Sequence, residues 1–202
     1  MWYVVDCEEN ASLVYGFKKP IDRAEFERRI KDNTLLEVCN NVPVKKGDVF
    51  FITAGTLHAI GEGILIAEVQ QNSNSTYRVS DYGRLGADGK PRPLHIEKAL
   101  AVTLTVPPEL PYGNVGDIEE LPFGSERSIA TSEFFSSKVI NLNGTKDILS
   151  SDSFVSLVLL NGECALKFED ENILLKKGQS VFVPAGVKTS ISGKAEILYS
   201  YI

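Results

Sequence analysis

Residues that usually announce a metal centre or a disulfide scaffold are scarce in this chain. In 202 residues there are two histidines, His58 and His95, and three cysteines, Cys7, Cys39 and Cys164. Odd in number and widely spaced, the cysteines argue against a disulfide framework and against a cysteine-based zinc cluster. They suit a reducing, cytoplasmic setting. No apolar run approaches the roughly 18 residues of a membrane-spanning helix, and the first residues have no signal-peptide pattern. No basic run accumulates, and the formal net charge is −6. That balance argues against nucleic acid as a partner. A Gly-rich phosphate loop, a G-x-S-x-G elbow and a dinucleotide fingerprint are all missing.

What is present is the material of a folded, mainly β protein. The apolar fraction of 43% is ordinary for a globular chain, and 202 residues suit one large or two small domains. Trp2-Tyr3-Val4-Val5 reads as a strand already in progress near the first residue, and with 12–15 it suggests a hairpin around Glu8-Glu9-Asn10-Ala11. Pro20, Asp22, Glu25, Phe26 and Ile30 predict a helix over 20–31. Leu35-Leu36-Glu37-Val38 fits helix and strand equally. Strand, turn, strand, turn, strand follow from 42 to 69, and Asp88-Gly89 with Pro91 and Pro93 mark a polar loop. A short helix is expected over 96–101. The Pro- and Gly-rich stretch 107–124 reads as a linker between domains 1–106 and 125–202. Beyond it, strands are expected at 134–140, 154–160, 165–168, 173–175, 180–183 and 195–201.

One block occurs twice. Val44-Lys45-Lys46-Gly47-Asp48-Val49-Phe50-Phe51-Ile52-Thr53-Ala54-Gly55 resembles Leu175-Lys176-Lys177-Gly178-Gln179-Ser180-Val181-Phe182-Val183-Pro184-Ala185-Gly186 at a constant offset of 131 residues, 47 to 178. Self-similarity of this kind implies two barrels of like build. At that offset His58 falls on Thr189, so the second barrel is expected to hold no metal and to serve packing, with Val181, Val183 and Ile191 in its core.

Polar residues that could carry chemistry cluster in the first half. His58 follows the tight turn at Gly55 and fits either a metal ligand or a buried, hydrogen-bonded imidazole. His95 is either a surface residue at a helix start or a second ligand. Alternation places Glu68 on one face with Ile66 and Gln70, inside the barrel or out in solvent. The run Gln70-Gln71-Asn72-Ser73-Asn74-Ser75-Thr76 offers donors and acceptors that match sugar hydroxyls, or forms a plain surface loop. Arg78, with its fixed fork of donors, suits an oxyanion or phosphate, and Arg84, Arg92, Lys90 and Lys98 lie near it in sequence.

Gly55-Thr56-Leu57-His58-Ala59-Ile60-Gly61, then Glu68-Val69-Gln70-Gln71-Asn72-Ser73-Asn74-Ser75-Thr76-Tyr77-Arg78-Val79-Ser80-Asp81-Tyr82, resembles type I mannose-6-phosphate isomerase, in its short bacterial branch. The likeness continues through Pro91-Arg92-Pro93-Leu94-His95 to the second barrel. It implies two cupin-like jelly-roll barrels with a few short helices, a sugar-phosphate substrate, and exchange of mannose 6-phosphate with fructose 6-phosphate using one zinc ion. On the resemblance, His58 is a zinc ligand, Arg78 is catalytic, and Asn74 stands near the reacting sugar. Glu68, which alternation can turn into the same barrel, is expected to bind substrate as well. The family also carries a Gln-or-Lys-x-His pair and a Glu on the same zinc, in an N-terminal portion that this sequence does not match. The resemblance therefore implies a truncated form with a weakly held metal, little activity on its own, and self-association through an exposed flank. A non-catalytic cupin module that binds sugar phosphate is the alternative.

Overall fold

The computed structural model describes residues 1–82, 84–90 and 92–202. Pro91, one of the prolines read as marking the polar loop, lies outside them. The chain divides into two compact units, Met1–Gly113 and Asn114–Ile202.

In the first unit, strands β1 (Trp2–Cys7), β2 (Ser12–Phe17), β3 (Cys39–Pro43), β4 (Val49–Phe50), β5 (His58–Ala59) and β6 (Ile64–Glu68) form two antiparallel sheets. Their orders are β4-β1-β6 and β3-β2-β5. The expected hairpin of β1 with β2 does not form, because the two strands belong to different sheets. The turn between them, with Asn10 at φ 63°, is instead a corner, and Glu8 N–H donates to Gly63 O at 2.8 Å. Both sheets contribute to one buried cluster of Trp2, Val4, Leu13, Tyr15, Val42 and Phe50. Burial of that shared face sets the strand register, since a one-residue slip would turn each apolar side chain to water.

Two helices cover the other face of the β3-β2-β5 sheet. Helix α1 (Arg23–Lys31) starts later than expected, because Asp22 caps it by accepting from Glu25 N–H at 2.7 Å. Phe26 and Ile30 are its buried residues. A single 3-10 turn at Leu35–Glu37 resolves the ambiguous segment, and α2 (Ile96–Val102) follows the polar loop. Val14, Phe17, Phe26, Leu35, Cys39 and Ala99 pack together in a second cluster.

The second unit is one sheet with seven strands: β7 (Ile118–Leu121), β8 (Gly124–Thr131), β9 (Ser136–Ile148), β10 (Val155–Phe168), β11 (Glu171–Lys176), β12 (Ser180–Val183) and β13 (Thr189–Tyr201). Strand β7, with its Ile-Glu-Glu-Leu sequence, lies in the stretch read as linker, and β8 was not anticipated at all. Both are short of apolar residues, so alternation gave no signal. Val183 and Ile191 are buried, and Val181 packs against the same core.

Each unit repeats the other's pairing scheme, which the sequence repeat foreshadowed. The first half of β10 lies between β12 and β13 as β1 lies between β4 and β6. The second half of β10 lies between β11 and β13 as β2 lies between β3 and β5. Both central strands carry a bulge at the same place, between Val4 and Asp6 and between Leu159 and Asn161. Even the turn is closed alike. Asp48 Oδ2 accepts from Lys45 N–H at 2.9 Å, and Gln179 Oε1 accepts from Lys176 N–H at 2.8 Å. The units differ at one edge. Strand β9 pairs with β13 along its whole length, whereas β5 and β6 each have one strand neighbour among the described residues.

The side-chain acceptor that closes each turn is expected to matter for stability. Asp48→Ala and Gln179→Ala should each lower the unfolding free energy by about 1–2 kcal/mol, since each orphans a turn N–H. Asp48 is 5% exposed and its Oδ1 has no hydrogen-bond partner among the described residues. Asp48→Asn keeps the acceptor and removes buried charge, so it should cost less than the alanine variant. Urea midpoints at constant m-value measure all three.

Candidate functional site

The polar residues singled out from the sequence fall into two groups in the first unit. The first is built on the strand ends of β1, β5 and β6. Residues 53–56 close a turn, with Thr56 N–H donating to Thr53 O at 3.1 Å. Gly55 has φ +87°, and a Cβ there would lie 2.5 Å from Val102 O, so glycine is required. The turn delivers His58 to β5, opposite Tyr15 on β2.

The His58 ring is exposed at its edge and its Nδ1 lies 2.7 Å from Thr56 O. A carbonyl can only accept, so Nδ1 carries the proton. Nε2 then holds the lone pair, the arrangement a metal-binding imidazole adopts when its other nitrogen is tied to backbone. Trp2 packs edge-on against that ring, with centroids 5.2 Å apart. The Trp2 indole N–H donates to Glu68 Oε1 at 2.9 Å, across the directly paired β1 and β6. Ile64 and Ile66 pack on the core, so alternation puts Glu68 on the core-facing side, at the strand's exposed end. Trp2 thus connects His58 to Glu68. Sequence reasoning treated Trp2 only as a strand residue, because the register that sets it opposite Glu68 is a long-range property.

The second group surrounds Asp81. Arg92 grips the Asp81 carboxylate through two hydrogen bonds, Nε to Oδ2 at 2.7 Å and a second from its terminal nitrogen to Oδ1. Arg78 Nε lies 3.7 Å from Asp81 Oδ1, and an Arg78 terminal nitrogen donates to Pro93 O at 3.3 Å. The Arg78 backbone is clamped as well. Its N–H donates to His95 Nδ1 at 3.0 Å, and His95 N–H donates back to Arg78 O at 2.8 Å. His95, at the start of α2, therefore acts as an anchor for Arg78. The Arg92 hydrogen bond holds the Asp81 carboxyl below the usual carboxylate range, with the charges of Arg78 and Arg84 adding to the effect. Cationic side chains outnumber Asp81 here, which suits an anionic ligand. Asn74 sits in the exposed stretch between β6 and this group. Among the described residues, no hydrogen bond, ion pair or ring contact joins the His58 group to the Arg78 group.

A metal is poorly served by these residues. Among the described residues there is no group of three or more His, Cys, Asp or Glu placed to hold one. His58 offers Nε2, and Glu68 already accepts from Trp2. A catalytic zinc takes three protein ligands. The donor set within the chain does not fit it.

Residues 125–202 match the family model for the mannose-6-phosphate isomerase cupin domain. Over the whole chain, the sequence is 34% identical to YvyI of Bacillus subtilis and 32% identical to mannose-6-phosphate isomerase ManA of the same organism. The chain is similar along its whole length to these mannose-6-phosphate isomerases. A crystal structure of the mannose 6-phosphate isomerase from Bacillus subtilis superposes on 100% of the chain with a TM-score of 0.90 and 32% identity. The cupin fold and the resemblance read from the 55–82 motif both hold. This chain spans about 63% of the length of each of these isomerase relatives.

The Asp81–Arg92 pair gives a pH-dependent test. A depressed folded value means the interaction contributes stability above the ordinary carboxylate pKa of about 3.9. That contribution disappears as pH falls through the lowered folded value. In carboxyl NMR titrations Asp81 should titrate below its peptide value, and Arg92→Ala should move it up toward that value. An Asp81 midpoint unmoved by Arg92→Ala would contradict the assignment.

Proposed function

We propose that this chain carries the sugar-phosphate-handling part of a mannose-6-phosphate isomerase, an enzyme that exchanges mannose 6-phosphate and fructose 6-phosphate. The carrying observation is similarity to such enzymes along its whole length, at 32% identity to the Bacillus subtilis structure. The reaction moves a proton between C1 and C2 through an enediolate, so negative charge develops on the two oxygens. Arg78 is the residue proposed to face that charge. Its backbone is fixed by His95, and its guanidinium is steered by Pro93 O and Asp81. Pre-placed cations of this kind are a large part of catalysis because they need no reorganisation during the step. Glu68 and Asn74 are proposed to meet sugar hydroxyls, and the cations around Asp81 to draw the phosphate.

His58 is proposed as one ligand of the family's zinc, which would polarise the sugar oxygens when bound. Its partner ligands are not among the described residues. The chain alone is therefore expected to turn over slowly. A non-catalytic module that binds sugar phosphate through the same residues is the second reading, and the incomplete donor set favours it. Exposed Ile60 and Leu65, beside the one-sided β5 and β6, support self-association. Three free cysteines support a cytoplasmic setting. No helix among the described residues is long and apolar enough to cross a membrane.

Calorimetric titration of the purified chain with mannose 6-phosphate, beside a coupled turnover assay, tests the proposal. Saturable binding is expected, weakened about tenfold or more by Arg78→Ala through loss of a charge-assisted contact. Measurable but slow turnover supports the enzyme reading. Binding with no turnover selects the module. No binding at all ends both.

A further inference from the structure

The second unit has a polar cup where its fold calls for packing. Strand pairing sets Glu126 opposite Ile140, Lys138 opposite Tyr199 and Lys146 opposite Ile191. Ile140, Ile191 and Ile197 are fully buried. By alternation, Glu126, Lys138, Lys146, Tyr199 and Tyr201 lie on that same core-facing side of the sheet. They line a cavity of about 400 Å³. Glu126 accepts from Lys138 Nζ at 2.6 Å and from Lys146 Nζ at 3.4 Å, and its side chain is 12% exposed. Lys146 Nζ also sits 4.0 Å above the Phe123 ring.

At the inner end of the cup two lysine ammonium groups face the single Glu126 carboxylate, so the cationic groups are in local excess there. Asp147 is at the rim but exposed, so water screens it. Burial pushes the Glu126 carboxyl up, yet the Lys138 hydrogen bond and both lysine charges outweigh it and leave the group low. Burial pushes the Tyr199 hydroxyl up, so it stays protonated. The cup therefore brings two lysine side chains to one inner carboxylate and two phenolic side chains, with Asp147 at its exposed rim. Desolvating charges on a core-facing sheet is costly, and packing alone would be better served by apolar side chains.

The internal repeat adds the second observation. Through strand pairing, Ile66 on β6 corresponds to Ile197 on β13, and Glu68 to Tyr199. Within the cup, Tyr199 thus holds the register position that Glu68 holds in the first unit. Thr189, the counterpart of His58, spends its hydroxyl on Lys167 O. At the register position of Glu68 and Tyr199, a carboxylate in the first unit is replaced by a phenolic hydroxyl in the second.

We propose that this cup is a second ligand site, for a small anion that also carries hydroxyls, such as a sugar phosphate or a sugar acid. The two lysines meet the anionic group, and Tyr199, Tyr201 and the Glu126 carboxylate meet the hydroxyls. This proposal goes beyond the expectation that the second barrel serves packing, and it stands apart from the isomerase reading.

Amide NMR of the full, isotope-labelled chain tests it, with inorganic phosphate, D-gluconate and D-mannose as separate probes. Saturable shifts at Lys138, Lys146 and Tyr199 are expected with phosphate, gluconate or both. A response to phosphate alone points to a phosphate ester, and to gluconate alone to a sugar acid. Lys146→Gln should weaken the response about tenfold, as loss of one charge-assisted contact implies. Tyr199→Phe, which removes only a hydroxyl, is the second variant should the first fail to fold, and should weaken gluconate binding. No saturable shift with any probe, shifts that survive both substitutions, or mannose binding as tightly as gluconate would overturn the proposal.

Discussion

The pairing of β1 between β4 and β6 is the constraint on which the first unit depends. It brings a strand from the start of the chain beside one more than sixty residues later, with Trp2 directly opposite Glu68. Trp2 is 4% exposed, and one face of its ring system does two things at once. Its ring packs against His58, and its indole N–H holds Glu68. The indole needs a partner once buried, and Glu68 is the acceptor in reach. The same contact that completes the core thus positions both His58 and Glu68. Loss of this register would scatter both.

A second constraint acts at Arg78. Its main chain and the His95 ring and main chain exchange two hydrogen bonds, which ties the polar stretch after β6 to the first turn of α2. The segment between them is exposed and largely irregular, so this tie is what gives the guanidinium a place. Asp81 and Arg92 then fix the local charge balance. Rigid backbone and mutually held side chains are what a site for an anionic sugar requires.

Much of this was legible in the sequence, for identifiable reasons. The Lys-Lys-Gly-Asp and Lys-Lys-Gly-Gln turns announce themselves because a side-chain acceptor closes each of them locally. Helix α1 shows through Asp22, Phe26 and Ile30, which are local cap and face signals. The motif around His58 and Arg78 pointed to the mannose-6-phosphate isomerases, to which the chain is similar along its length. Sheet membership was not legible. Trp2–Cys7 and Ser12–Phe17 look like the arms of a hairpin, and only the shared core between two sheets separates them. The Glu126 cup was invisible for the same reason, since its members come from β8, β9 and β13 and meet only through pairing.

His58 holds its Nδ1 on a backbone carbonyl and leaves Nε2 available, without a complete set of metal partners among the described residues. Zinc retention measures that directly. The purified chain is loaded with zinc, dialysed against metal-free buffer and analysed for metal beside His58→Ala. The account predicts that both retain well under one zinc per chain, because one imidazole and a pre-engaged carboxylate cannot replace three ligands. One zinc per chain, firmly held and lost in His58→Ala, would contradict it.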